Sequence, residues 1–377
     1  MHANPGTPSA PGHGTAEDPV LVRREGRAGH IVLNRPRALN SLTLDMVRRI
    51  DAALTAWEHD ERVTTVVVSG AGGRGLCAGG DIRGIHDDAK YGDGSASRTF
   101  WREEYHLNAR IARYPKPYVA LMDGVVMGGG VGVSAHGSVR VVTERSKVAM
   151  PETGIGFVPD VGGTYLLSLA PGALGTYLAL TAAPVGADDA LLCGLADHRM
   201  DSSRLDAFVL SLAEMDAADA VRLHVTGTDS ASADTEDQGL AAHREWIDSC
   251  FSADSVEEIV ERLRAHGSPA AKEAAETVCA KSPTALKVTL AALRRARELG
   301  PLERVLDQEY RVSCAALSSH DLVEGVRAQI VDKDRKPQWS PARLEDVQQA
   351  DVERHFAPLG AAELGLGAGL DGTESPW

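Results

Sequence analysis

The chain has 377 residues, 43% of them hydrophobic and 24% charged, which excludes a disordered or fibrous protein and leaves room for one large buried core or two moderate ones. With 39 Lys and Arg against 53 Asp and Glu the formal net charge is -14, so bulk attraction to nucleic acid or to an anionic membrane is not expected, and an anionic ligand has to be held by locally placed cations. Five cysteines, Cys77, Cys193, Cys250, Cys279 and Cys314, stand far apart without C-x-x-C spacing, which suggests neither a disulfide framework nor a zinc site and fits a reducing compartment.

Residues 1–18 are rich in Pro, Gly, Ala and His, contain no apolar run long enough for a signal peptide or membrane span, and read as a disordered lead-in to a cytoplasmic protein. Order starts near Pro19, where Val20 to Val22 and His30 to Leu33 are short β-rich runs around a Glu25-Gly26 turn, the pattern of a hairpin. Met46, Ile50, Leu54 and Trp57 then recur at helical spacing, after Ser41 and Thr43, either of which can cap the helix. Val63 to Ser69 reads as a buried strand, followed directly by GAGGRGLCAGGDI from Gly70 to Ile82, a loop with too many glycines for regular structure.

A helix is expected over Thr99 to Arg113, then a strand, Tyr118 to Met122, that runs into a second glycine tract, Gly128 to Gly132. Ser138 to Thr143 is a further strand, and the loop MPETGIGFVPDVGGTY sets Glu152 and Asp160 among prolines, glycines and apolar residues. Beyond Thr164 the pattern is helical almost to Leu359, with amphipathic runs near 171–182, 202–217, 254–266, 283–298 and 302–317. Thr226 to Gln238 reads as a polar surface loop and the Gly-rich stretch from Gly360 as a flexible tail. The expected division is therefore a tail over 1–18, an α/β core over 19–200, a helical region over 201–359 and a second tail over 360–377.

Each glycine tract follows a strand and ends where a helix is expected, at Asp81 and at Val131, and helix starts present unpaired N–H groups. Two such groups converging on one point would form an oxyanion hole for acyl transfer, and glycine there lets a substrate reach the backbone. A rival reading exists, because Gly130-Val131-Gly132-Val133-Ser134-Ala135 satisfies the G-x-G-x-x-G/A dinucleotide pattern. The next strand begins only a few residues later, which leaves no room for the crossover helix of a parallel βαβ unit. Ser134 lacks a G-x-S-x-G elbow and Cys77 has no evident base, so both read as structural. Thirteen histidines show no metal-ligand spacing. Glu152 and Asp160 remain, either as acid-base or nucleophilic groups in an apolar pocket or, equally on the residues alone, as a helix cap and a turn.

LNRPRALNSL (Leu33 to Leu42), GLCAGGDIR (Gly75 to Arg83), KPYVALMDGVVMGGGVGVSAHG (Lys116 to Gly137) and MPETGIGFVPDVGG (Met150 to Gly163) resemble the successive motifs of the crotonase (enoyl-CoA hydratase/isomerase) superfamily. The last two of these, with REEY (Arg102 to Tyr105), EYRVS (Glu309 to Ser313), HDLVEGVRA (His320 to Ala328) and DKDRKPQW (Asp332 to Trp339), resemble the 3-hydroxyisobutyryl-CoA hydrolase subfamily. The resemblance implies a crotonase-like spiral of ββα units followed by a helical region, and a homo-oligomer, commonly of trimer type. It implies hydrolysis of a short β-hydroxyacyl-CoA thioester in valine breakdown, with no cofactor because CoA is part of the substrate.

By the same resemblance the amides of Gly80 and Gly129 form the oxyanion hole, Glu152 attacks the thioester or activates water, and Asp160 orients the substrate hydroxyl or assists proton transfer. Glu104 would contact the acyl group, Ala78 and Ile82 would line the pocket, and Arg37 and Arg83 would lie near the CoA phosphates or adenine. Gly132 departs from the hydratases, which carry there the first of two paired glutamates, so hydration by that route is not implied. Two alternatives stay open. One is a hydratase or isomerase in which another carboxylate, such as Glu104, substitutes, and the other is a non-catalytic acyl-CoA binding protein.

Overall fold

The computed structural model describes residues 18–225 and 239–370, so the expected lead-in before Asp18 and the loop Thr226 to Gln238 lie outside the described residues. Strands β1 (Val20–Glu25) and β2 (Ala28–Leu33) pair antiparallel as the predicted hairpin, turning at Gly26 with φ +55°. Helix α1 (Leu44–Glu58) is capped by Thr43, whose hydroxyl accepts the Met46 N–H at 3.3 Å, and it buries Met46, Ile50, Leu54 and Trp57.

After α1 the chain winds into a spiral. Strand β3 (Thr65–Gly70) turns into a short strand β4 (Gly75–Cys77), then α2 (Ile82–Tyr91) and α3 (Ser95–Ala112). The step repeats with β5 (Tyr118–Met122), β6 (Val125–Met127) and the single-turn α4 (Gly129–Gly132), and again with β7 (Val139–Val142) and β8 (Lys147–Ala149) before α5 (Gly163–Leu169). A two-residue β9 (His198–Arg199) closes the set. The first strand of each step joins a six-stranded sheet, β1-β2-β3-β5-β7-β9, and the second joins a three-stranded sheet, β4-β6-β8. All pairings after the hairpin are parallel.

The strands of the large sheet are apolar on both faces because both are covered. Val66, Val68, Ala120, Met122 and Val142 belong to the main core, whereas the alternate positions Val67, Val119, Leu121 and Val141 pack in a second cluster with Phe208 and Leu212. The helices Leu205–Glu214 and Ala217–His224 supply that outer cover. Pro283–Leu299 and Leu302–Ala316 instead pack on α5 and α3. The main core runs without a break from Val20 to Leu364, so spiral and helical region share one interior.

The residues after Gly360, expected as a flexible tail, are docked as far as Leu370. Leu364 is buried, the Arg102 guanidinium donates to the carbonyls of Ala362 and Glu363 at 2.6 and 2.9 Å, and the amides of Leu366 and Gly367 donate to Asp307. Glycine content predicted freedom, but one buried leucine and five anchored backbone groups outweigh it.

Candidate active site

A cavity of about 360 Å³ opens where the two glycine loops meet. Its wall includes Ala78, Gly80, Ile82, Glu104, Gly129, Glu152 and Asp160, so seven of the nine residues singled out from sequence come together. Arg37 and Arg83 are exposed and outside the lining, although Arg83 donates to the carbonyl of Ile330, which is part of the rim. Trp101 and Phe157 stack at 5.5 Å to make an apolar wall, and Lys281 brings a cation that sequence reading missed.

Backbone geometry explains the glycines. The amides of Ala78 and Asp81 are taken by the carbonyls of Leu39 and Leu42, and that of Gly79 faces the Cys77 sulfur at 3.4 Å, while Gly80 sits between them on the cavity wall. A Cβ on Gly129 would lie 3.3 Å from the Gly80 nitrogen and 2.7 Å from Glu104 Oε1, and one on Gly128, at φ +49°, would meet Glu152 Oε1 at 2.8 Å. The two loops therefore converge to within a few ångströms, and side chains on the tract would push the carboxylates away. Helix α4 begins at Gly129 rather than Val131 and lasts four residues before β7, so the dinucleotide pattern has no crossover helix behind it. The Ser134 hydroxyl donates to the Gly130 carbonyl at 2.6 Å, and burial pushes the Cys77 thiol up to about 12, so neither is a nucleophile here.

Carboxylates dominate the electrostatics. Glu152, at the start of the turn Glu152–Ile155, is 6% exposed, and its Oε2 has no partner in the protein, so its side chain does not act as a cap, whereas the Asp160 carbonyl does accept a turn bond from the Gly163 amide at 2.6 Å. Burial, then the charge of Asp160, holds its carboxyl well above the usual range. Glu104 is raised by the same two causes, and its Oε1 is also unpartnered. Asp160 is pushed up to about 7 by burial, opposed by the Tyr105 hydroxyl, which donates to Oδ2 at 2.7 Å.

A fourth buried acid, Glu309, accepts from the Gly162 and Thr164 amides at 2.6 and 2.9 Å and from the Thr164 hydroxyl. It ties the helix Leu302–Ala316 to the loop that carries Asp160. The loop itself is strained, with Val161 at φ +53° ahead of Gly162 at +80°. His136 Nε2, 2.7 Å from the Val161 carbonyl, is its donor, and burial lowers that imidazole to about 4, so it stays neutral at physiological pH. REEY and EYRVS contain Tyr105, Glu309 and Ser313, yet no spacing rule links helices two hundred residues apart, so their roles were not legible.

The space beside Gly132 is filled. A Cβ there would stand 2.7 Å from Val161 Cβ and 2.9 Å from Asn108 Nδ2. The left-handed turn at Val161 drives its side chain into the path that a longer residue at 132 would need.

The sequence pattern described as Enoyl-CoA hydratase/isomerase matches residues 28–356. A rat protein named 3-hydroxyisobutyryl-CoA hydrolase, mitochondrial, is 45% identical over 355 residues, covering 93% of this chain and 91% of the relative. Its name gives no support to the cytoplasmic placement expected from the sequence. Among the described residues no helix is long and apolar enough to cross a membrane. A solved carnitinyl-CoA dehydratase from Mycobacterium thermoresistibile superimposes with a TM-score of 0.87 at 52% identity, covering 93% of this chain and 100% of that one. An enoyl-CoA hydratase from Rhodobacter sphaeroides gives 0.84 at 41% identity, with 92% and 99% covered. With the ββα spiral and the paired glycine loops already in place, a match over this span makes the chain a member of the enoyl-CoA hydratase/isomerase family.

Proposed function

We propose that this chain hydrolyses a short β-hydroxyacyl-CoA thioester, 3-hydroxyisobutyryl-CoA foremost, to the free hydroxy acid and CoA, a step of valine breakdown. The observation that carries the reading is the blocked space at Gly132, where Val161 and Asn108 leave no room for a second glutamate paired with Glu152 across a double bond. The rat relative, named a hydrolase of this substrate, supports it.

In the proposed reaction the thioester carbonyl lies between the amides of Gly80 and Gly129, whose bonds strengthen as charge develops on oxygen. Glu152 attacks the carbonyl carbon, or takes a proton from a water that does. The tetrahedral intermediate collapses with cleavage of the C–S bond, CoA leaves as the thiolate, and in the covalent route water then opens the mixed anhydride and frees Glu152. Asp160 and Glu104 hold the acyl end, with Asp160 accepting from the β-hydroxyl. Ala78 and Ile82 line the channel, while Arg37, Arg83 and Lys281 meet the anionic CoA. Members of the family commonly assemble as trimers, and a homo-oligomer of that type is the assembly this reading carries with it.

Free-thiol release from 3-hydroxyisobutyryl-CoA, followed beside loss of the enoyl absorbance of crotonyl-CoA, tests the reading. Thiol release without hydration is expected. Glu152→Gln should lower kcat by about 10²–10⁴ while CoA still binds, and normal turnover by that variant would remove Glu152 from the mechanism. Hydration is the second reading, favoured by the unpartnered Glu104 oxygen in the same cavity. Loss of enoyl absorbance without free thiol would establish it.

A further inference from the structure

The Tyr105 hydroxyl stands between side chains from two distant parts of the chain. It donates to Asp160 Oδ2 at 2.7 Å and lies 2.8 Å from Ser313 Oγ on the helix Leu302–Ala316. All three residues are buried, Tyr105 and Ser313 completely. A phenol has one hydrogen to give, and here it goes to Asp160, so Ser313 must donate to the phenol oxygen. The resulting chain runs in one direction, from Ser313 through Tyr105 to Asp160. Asp160 Oδ2 is thereby anchored, and Oδ1 is the oxygen left to meet a ligand in the cavity that Asp160 lines.

Burial opposes a charged Asp160, whose own charge raises the acids around it. Glu104 faces it from α3, Glu152 from the turn Glu152–Ile155, and Glu309 from the helix Leu302–Ala316, while His136 behind Val161 is neutral. Among the described residues that line the cavity, Lys281 is the single cation. The donated Tyr105 O–H is the largest interaction that favours the carboxylate over the acid, ahead of a backbone hydrogen bond to the same carboxyl. Burial, with Asp160 and Glu309 adding to it, holds the Tyr105 phenol well above its ordinary range, so the donor keeps its proton throughout the working pH range.

We propose that Tyr105, backed by Ser313, is a positioning residue that keeps Asp160 oriented and ionised as the acceptor for the β-hydroxyl of the substrate, and so sets the pH at which turnover begins. This rests on the thioester-hydrolase reading of the site. It gives the REEY and EYRVS segments a joint purpose, because each contributes one link of the chain.

The test is the pH profile of thiol release by the native chain, Tyr105→Phe and Ser313→Ala, with CoA affinity measured in parallel. Phenylalanine keeps the ring that meets Tyr310 edge-on at 6.3 Å and removes only the hydroxyl. In Tyr105→Phe the rising limb of kcat should move to higher pH by about one unit, with kcat near neutrality down about tenfold and CoA affinity unchanged. Ser313→Ala should move it the same way by less. An unmoved limb in a Tyr105→Phe variant that binds CoA normally would overturn the proposal. Should that variant lose CoA binding through misfolding, an unmoved limb in Ser313→Ala would overturn it equally. A native chain that released no thiol would instead overturn the functional reading beneath, so the two failures are distinguishable.

Discussion

Gly132 shows how one residue can decide between two reactions on the same backbone. A glutamate there would require its Cβ to sit 2.7 Å from Val161 Cβ, well inside van der Waals contact, and Val161 cannot retreat because its left-handed backbone is fixed by Gly162 on one side and by the His136 bond to its carbonyl on the other. Gly132→Glu should therefore cost about 1–3 kcal/mol or more through overpacking and should not confer hydration of crotonyl-CoA. Denaturant unfolding with the enoyl assay checks both parts, and a stable variant with hydratase activity would show that the pocket adapts. The two glycine loops were readable from the residues, whereas Gly80 and Gly129 in particular came from the family resemblance. The block at Gly132 was not readable, since it depends on the φ of a residue in another loop.

Among the elements, the loop from Met150 to Gly163 is held from both sides, by α3 through Tyr105 and by the helix Leu302–Ala316 through Glu309. Glu309 has an ordinary carboxyl value of 4.5 and is pushed up to about 8 by burial, so over that window the folded chain keeps a proton that the unfolded chain has released. The folded state then binds more protons, and the Glu309 contribution to stability falls as pH rises, by at most about 1.4 kcal/mol per unit. Glu309→Gln, which cannot ionise, should gain stability relative to the native chain as pH is raised across that window. Urea midpoints at a series of pH values measure it, and a constant difference would place the ionisation of Glu309 elsewhere. The long helices around this loop were visible as amphipathic periodicity, whereas β4, β6 and β8 are three residues each and carry no pattern of their own.

For the molecule as a whole, a net charge of -14 requires that an anionic thioester be held by cations placed where it binds. Lys281 is on the cavity wall, and burial lowers the proton affinity of its amine, so neutralising an anion there offsets the desolvation of both. Lys281→Ala should raise KM for an acyl-CoA about tenfold with little change in kcat, and an effect confined to kcat would place the amine in the chemistry instead. The spiral's principal strands, the helical second half and the two glycine loops were legible in the residues themselves, because period and turn chemistry are local properties, while the carboxylates Glu152 and Asp160 stood even between structural and functional readings until the family resemblance was considered. Folding in three dimensions was needed to settle which acids share a pocket, that Tyr105 hydrogen-bonds both Asp160 and Ser313, that Lys281 rather than Arg37 lines the wall, and that the Gly-rich stretch after Gly360 is docked. Each of those depends on groups brought together across the fold, where burial sets both packing and charge.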